Sequence, residues 1–259
     1  LFSYRTVFSR HEYALLETNI HNSEDNDLNR APALLLTTSG SIGSLKLVRQ
    51  SYINIESNAT AIVEYLGIAE YDRAITLLPM NYTYGLSVIN SHFSIGASVV
   101  LTNSTLMQKE FWILLQESAI TSISGVPYTY EMLDKLKFMR RDLPHLKTLT
   151  QAGGKLSIEL HEKISQYAHD NNKKFFVMYG QTEATARMGY LPAEKNLEKI
   201  GSIGIAIPGG KFSLIDESRN LINSPETAGE LVYYGDNVTL GYASSREDLS
   251  QGDDFKGKL

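Results

Sequence analysis

The chain has no cysteine, which excludes disulfides and thiolate metal sites and is in keeping with a reducing, cytoplasmic compartment. Positive charge is also in short supply: 24 Lys and Arg stand against 29 Asp and Glu, a net charge of −5. The basic footprint of a nucleic-acid partner is missing. No apolar run approaches the ~18 residues of a membrane-spanning helix, and no signal peptide opens the sequence. The six histidines show no close ligand pairs, which argues against an imidazole-built metal site. What remains is ordinary for a globular chain. Hydrophobic residues make up 42% and charged residues 20% of 259 positions, enough for one large domain or two smaller ones. The sequence starts at Leu1 without a methionine or an obvious capping element, and both ends read as cut.

Residues 1–32 carry little pattern. Glu12 to Leu16 reads as a helix turn and His21 to Arg30 as a polar, acidic loop. From Ala33 onward, short β-branched or leucine-rich runs predict strands at Ala33–Leu36, Ala74–Leu78, Ser98–Leu101, Thr121–Ser124, Leu146–Leu149 and Lys174–Met178. Helical spacing predicts helices over Ser51–Leu66, with Ser51 as cap, over Tyr128–Arg140, and over Ser157 to Ala168. Strand–helix alternation of this kind argues for an α/β fold with a largely parallel sheet. After Lys199 the texture changes: Phe212–Asp216 and Glu230–Tyr234 alternate like half-exposed strands among glycines and prolines, predicting a smaller β-rich part. Phe111 and Trp112 read as core.

The segment Thr37-Thr38-Ser39-Gly40-Ser41-Ile42-Gly43-Ser44-Leu45-Lys46 packs hydroxyls, two glycines and a lysine behind an apolar strand. Glycines let backbone N–H groups turn toward an anion, hydroxyls donate to phosphate oxygens, and the lysine offsets charge. The spacing lacks the Gly-Lys-Ser/Thr of a Walker loop and the G-x-G-x-x-G of a dinucleotide fold, so phosphoryl-transfer NTPases and Rossmann dehydrogenases are excluded. An ordinary Ser/Gly-rich turn is the plain alternative. A second motif, Tyr179-Gly180-Gln181-Thr182-Glu183, directly follows an apolar strand, the position at which open α/β sheets bind ligands. Tyr179 is suited to stacking on a purine, Thr182 to donating to a phosphate, and Glu183 to holding Mg²⁺ against phosphate oxygens. Arg187 follows this motif closely and reads first as a surface ion-pair residue, with reach to a phosphate as the alternative. Tyr82 and Tyr84 read equally as pocket lining or as packing.

Taken together, the two motifs resemble the AMP-dependent synthetases and ligases, the adenylate-forming ANL superfamily that includes the acyl-CoA synthetases. Further segments match in order: Leu78-Pro79-Met80-Asn81-Tyr82-Thr83-Tyr84-Gly85-Leu86, Gly125-Val126-Pro127, Ala152-Gly153-Gly154-Lys155-Leu156-Ser157, Gly201-Ser202-Ile203-Gly204 with Pro208-Gly209, Gly229-Glu230-Leu231 and Gly241-Tyr242. The resemblance implies an ANL-type core: residues 1–199 as the α/β part of the AMP-binding core and residues 200–259 as its β-rich subdomain. It also implies activation of a small carboxylic acid by ATP and Mg²⁺, giving an acyl-adenylate and pyrophosphate, followed by transfer to a thiol of CoA or a carrier protein. On that resemblance Thr38, Ser39, Gly40, Ser41, Gly43 and Lys46 would hold the phosphates. Gly153, Gly154, Lys155, Tyr179 and Gly180 would hold the adenine, while Tyr82, Gly85, Gly125 and Val126 would line the acyl pocket. Thr182, Glu183 and Lys46 would act in catalysis, with Glu183 on Mg²⁺.

The sequence departs from the family pattern in two respects. Ile42, Leu45 and Leu47 replace the usual threonine, proline and glycine; Ile42 and Leu45 predict weaker ATP binding, with benign drift in the loop as the plain alternative. The chain is also about half a family member's length. The aspartate for the ribose is expected beyond Leu259, together with the C-terminal lid domain and its lysine, and Asp253 and Asp254 read as solvated turn residues. A non-catalytic nucleotide-binding fragment is therefore the alternative reading. An amino-acid-activating domain is disfavoured, because the Asn81–Thr83 segment offers no aspartate for an α-amino group.

Overall fold

A computed structural model describes residues 4–10, 13–18, 29–38 and 46–259 of the protein. Strands β1 (Tyr4–Arg10) and β2 (Tyr13–Thr18) form an antiparallel hairpin, so the helix turn expected at Glu12–Leu16 is instead strand from Tyr13 onward, Glu12 lying outside the described residues. Tyr4, Val7, Phe8, Leu15 and Leu16 present large apolar side chains to solvent, and the ladder to β1 rather than a buried helical stripe decides the conformation. Most of the loop expected at His21–Arg30 lies outside the described residues.

Strands β3 (Pro32–Thr37) and β4 (Leu47–Ser51) pair antiparallel, with Thr37 opposite Leu47. The run Ala33–Leu36 is therefore a strand, as expected, but in a small three-stranded sheet and not in the parallel one. The hydroxyl- and glycine-rich segment is the connection of this hairpin, with its stem fixed by the Thr37–Leu47 pair. Ser39 to Leu45, including Gly40, Ser41, Ile42 and Gly43, lie outside the described residues.

Helix α1 (Tyr52–Leu66) starts where expected. Ser51 accepts from Asn54 N–H while Asn54 Oδ1 accepts from Ser51 N–H, a reciprocal cap that satisfies two otherwise orphaned donors. Gly67, in the left-handed conformation, closes its far end. The chain then alternates through β5 (Arg73–Ile75), α2 (Thr83–Ser94), β6 (Ser98–Val100), α3 (Lys109–Glu117), β7 (Ser122–Gly125), α4 (Pro127–Lys135), β8 (Thr148–Gln151), α5 (Ile158–Asp170) and β9 (Lys174–Tyr179). The helix expected over Tyr128–Arg140 stops at Lys135; Lys137 turns left-handed, and Phe138–Arg140 form a separate 3-10 turn.

Five of these strands run parallel in the order β9-β8-β7-β5-β6. Antiparallel β10 (Gly189–Leu191) and β11 (Ile205–Ala206) extend the sheet beyond β9 to seven strands. Alternation along the strands divides the core. Ile123, Leu149 and Phe175 face α3, α4 and α5, whereas Ala74, Phe176 and Met178 face α1 and α2. Phe111 and Trp112 are core, as expected. The later residues include a hairpin of β12 (Lys211–Ile215) and β13 (Glu230–Tyr234). They also include β14 (Tyr242–Ala243), which pairs with β4 and so returns to the start of the fold. A third cluster joins Ala61 and Ala184 to Ile207, Tyr233 and Val238, tying the β-rich part to the sheet.

Candidate active site

A cleft of about 700 Å³ lies at the C-terminal ends of β8 and β9, where the turn after each strand leaves backbone polar groups exposed. Its walls are the Ala152–Leu156 turn, the Tyr179–Glu183 turn, the start of α2 from Tyr82 to Tyr84, Thr38 at the end of β3, and Gly201–Ile203.

Each wall has a local cause. Gly153 takes φ +79°, and any Cβ there would strike the Tyr82 hydroxyl, so only glycine lets this turn pass beneath the tyrosine. The turn is held from below by buried Gln151, whose Nε2 donates to the Gly154 carbonyl at 2.8 Å. Gly180 is under a stricter demand: a Cβ there would collide with the Ala186 carbonyl. The chain doubles back so tightly because Thr185 and Ala186 both have positive φ, 52° and 92°. Asn237 holds this fold-back, donating to the carbonyls of Ala184 and Arg187 at 2.7 and 2.9 Å, and Thr185 Oγ1 donates to the Asn237 carbonyl.

The result is a fixed presentation of Thr182 and Glu183. The Thr83 hydroxyl donates to Thr182 Oγ1 at 3.2 Å across 99 residues of sequence. The Tyr242 hydroxyl donates to Glu183 Oε1 at 2.8 Å. The ammonium of Lys46 sits over the same Tyr242 ring, 5.5 Å from its centroid. Lys46, Tyr242 and Glu183 thus form a row from the end of the β3–β4 connection to the β9 turn. Burial, followed by the neighbouring carboxylate, pushes the Tyr242 hydroxyl up to about 12, so it remains a donor.

Tyr179 is half-buried in the cleft wall with its hydroxyl accepting from Gln181 Nε2 at 2.9 Å, and Lys155 is exposed at the rim. Tyr82 lines the cleft, and burial raises its hydroxyl above the usual tyrosine value. Tyr84 lines it as well but is buried, with its hydroxyl bonded to Thr150 at 2.8 Å. Gly85, Gly125 and Val126 stand behind the wall. Gly85 lies tight under the Pro79 carbonyl, and a Cβ on Gly125 would come within 2.6 Å of Thr129. The N–H of Val126 donates to Thr129 Oγ1 at the start of α4.

Two residues differ from their sequence reading. Arg187 is no surface ion-pair residue: it is 2% exposed and forms no salt bridge among the described residues. Its guanidinium stacks on Tyr84, 5.1 Å from the ring centroid, and donates to the Tyr65 hydroxyl at 2.9 Å. Asp254 is no free turn carboxylate, since it accepts from Arg49 Nη2 at 2.5 Å. Arg49, fully buried on β4, also donates to the carbonyls of Leu240, Tyr242, Gln251 and Gly252.

The sequence reading assigned no role to Thr83, Arg49 or His161, and gave Tyr242 only as part of a scaffold motif. His161 lines the cleft and accepts from Gly201 N–H on Nδ1 at 3.2 Å, while its Nε2–H donates to Asn196 Oδ1 at 2.8 Å. Burial lowers its pKa, which keeps the ring neutral in this role. No cluster of three or more metal-ligating side chains exists among the described residues.

The model of the AMP-binding enzyme family matches residues 6–243. The chain belongs to that family. It is 29% identical over 227 residues to the 2-succinylbenzoate–CoA ligase of Bacillus pumilus, covering 87% of this chain and 44% of that protein. The o-succinylbenzoate coenzyme A synthetase of Bacillus subtilis, solved with ATP and a magnesium ion, superposes with a TM-score of 0.74 at 25% identity. That match covers 88% of this chain and 46% of the solved chain. The same synthetase with its acyl-adenylate intermediate gives 0.76. The chain thus spans somewhat less than half the length of the relatives it matches. Its relatives include acid–CoA ligases, and among the described residues no helix is long and apolar enough to cross a membrane.

Proposed function

We propose that this chain forms the nucleotide- and acid-binding half of an ATP-dependent ligase that converts a small carboxylic acid to an acyl-adenylate with release of pyrophosphate. A thiol, of CoA or of a carrier protein, then takes the acyl group. The observation that carries the reading is the row Lys46–Tyr242–Glu183, with Thr182 beside it, on the rim of the cleft lined by Gly153, Gly154 and Gly180.

The physical difficulty of the reaction is bringing a carboxylate anion up to a polyphosphate. In this reading Thr38, Ser39, Gly40, Ser41, Gly43 and Lys46 compensate the phosphate charge, and the Thr182 hydroxyl orients the α-phosphate. Tyr179, Gly180, Gly153, Gly154 and Lys155 enclose the adenine. Tyr82 and the wall backed by Gly85, Gly125 and Val126 face the acid. Glu183 suits Mg²⁺, a hard cation that takes one or two carboxylates and completes its shell with water and phosphate oxygens. The donor set agrees: among the described residues the side-chain hydrogen bond to the Glu183 carboxylate is the one from Tyr242 to Oε1, which leaves Oε2 for a cation. When bound there, the ion would supply Lewis-acid charge compensation at the phosphates.

The test is ATP–pyrophosphate exchange with a panel of short aliphatic and aryl acids. The reading expects exchange dependent on one class of acid and on Mg²⁺. Absence of exchange with every acid, in this chain and in a longer protein containing it, would remove the ligase reading.

A further inference from the structure

A second cavity lies behind the cleft, enclosed between the sheet and the α1/α2 layer. It has a volume of about 300 Å³ and opens at the opposite, N-terminal ends of the strands near Tyr71, Lys147 and Lys174. At roughly 30 Å³ per water molecule this is space for about ten waters, too large to be a packing defect. Its sheet wall is also unusual. Ser122, Ser124, Thr148 and Thr150 line it, positions where a sheet face packed on helices ordinarily carries apolar side chains.

A hydrogen-bonded partition separates it from the cleft. The Tyr84 hydroxyl bonds to Thr150 Oγ1 at 2.8 Å, and Thr150 donates onward to Ser124 Oγ at 2.9 Å. Tyr84 contributes to the cleft wall, and Thr150 and Ser124 to the rear cavity.

Arg187 is the group that most needs explaining. A guanidinium cannot shed its proton, and burying it without an anion is costly. Arg187 nevertheless lines this cavity at 2% exposure, with Nε lacking any hydrogen-bond partner and no carboxylate within ion-pair range among the described residues. Ser122 Oγ, on the facing strand wall, is a second buried polar atom without a partner. Among the described residues the cavity's one lining carboxylate, Asp72, is already engaged by Lys147 at 3.5 Å and by Ala69 N–H at 2.9 Å. His92 also lines the cavity, gives its Nδ1–H to the Val88 carbonyl, and has its pKa lowered by burial. Arg187, Lys147 and Lys174 therefore outweigh the single carboxylate.

We infer that this rear cavity is a binding site for a small oxyanion, a carboxylate or inorganic phosphate, held by Arg187 and separate from the adenylation cleft. Lys147, Lys174 and the Ser122 hydroxyl, level with Lys174 across the sheet, draw the anion in at the mouth, and Arg187 Nε donates to it at the inner end.

The experiment titrates inorganic phosphate and succinate separately into the protein, against chloride at matched ionic strength, by calorimetry and by the NMR signal of the Arg187 Nε–H. At least one probe is expected to bind saturably at millimolar concentrations, to shift that signal, and to persist when ATP and Mg²⁺ are present in excess. Arg187→Met, and Ser122→Leu, which fills the cavity but leaves the arginine, should each weaken binding tenfold or more. The phosphate and succinate arms identify which oxyanion the cavity prefers. The inference is overturned if neither probe binds, if ATP displaces the bound probe, or if binding survives Ser122→Leu with the Arg187 signal unmoved.

Discussion

The hydroxyl of Tyr242 donates to Glu183 Oε1 at 2.8 Å, joining a residue of the last strand to the turn after β9. One bond thereby sets the carboxylate's direction while occupying only one of its roughly four lone-pair sites. Because the Tyr242 hydroxyl is pushed up to about 12, mainly by burial, it stays protonated and able to donate at neutral and mildly alkaline pH.

Replacing Tyr242 with Phe keeps the ring beneath Lys46 but releases Glu183. Hydrogen bonds to charged groups contribute about 1.5–3 kcal/mol, less when partly exposed. An approximately tenfold loss in kcat/KM for Mg²⁺–ATP in pyrophosphate exchange is expected, close to 1.4 kcal/mol. The urea midpoint should fall only slightly, and a large loss of stability with intact kinetics would contradict the positioning role.

Gly180→Ala should be among the most damaging small substitutions in the chain. The added methyl meets the backbone carbonyl of Ala186, and that carbonyl is fixed by the fold-back that Asn237 ties down. Relief requires moving the Thr182–Glu183 turn, so a destabilisation of more than about 2 kcal/mol in chemical denaturation is expected. Gly252→Ala, with open space around its Cβ, serves as the control.

Arg49 and Asp254 provide a test of buried charge. Arg49 donates to four carbonyls and one carboxylate, and Arg49→Met removes all five bonds, of which only the one to the Leu240 carbonyl lies in a fully buried setting, a loss of about 2–3 kcal/mol. Asp254 is half exposed, so Asp254→Asn should cost no more than about 1 kcal/mol. Equal losses from the two substitutions would show that the ion pair, and not the carbonyl cage, dominates.

Burial lowers the pKa of both His161 and His92 below the ordinary 6.5. Such groups resist protonation in the folded state while the unfolded chain accepts the proton. Stability from this source is intact above about pH 6.5 and is lost progressively as pH falls toward the depressed folded-state values. Denaturation midpoints measured across pH should be flat above neutrality and decline on the acid side. The double variant His161→Gln with His92→Gln should lose most of that acid slope, whatever its absolute stability.

Much of this fold could be read in the residues, for identifiable reasons. Helices α1 and α5 carry both a serine cap and an apolar stripe, two local signals that agree. Helix α2 escaped notice because its buried positions include Thr83, Ser87, Ser91 and His92. Ser87 and Ser91 bond back to the carbonyls of Tyr84 and Val88, so their polarity is satisfied within the helix and leaves no hydrophobic period to read. The glycine turns at Gly153 and Gly180 were visible as chemistry, since nothing else fits there. Tyr242, Thr83 and Arg49 were not, because their partners lie 59, 99 and about 200 residues away. Arg187 misled because a charged residue looks exposed until the packing around it is known, and Tyr65 and Tyr84 enclose it only in three dimensions.

In the proposed reaction Glu183, aimed by Tyr242, holds the magnesium of bound ATP at this cleft. Calorimetric titration of ATP into the chain, with and without Mg²⁺, and into Glu183→Gln tests it most directly. The account predicts saturable ATP binding strengthened by Mg²⁺ in the native sequence, and a Glu183→Gln protein that still folds and binds ATP but no longer responds to the ion. An equal response to Mg²⁺ in both proteins, or no ATP binding in either, would contradict it.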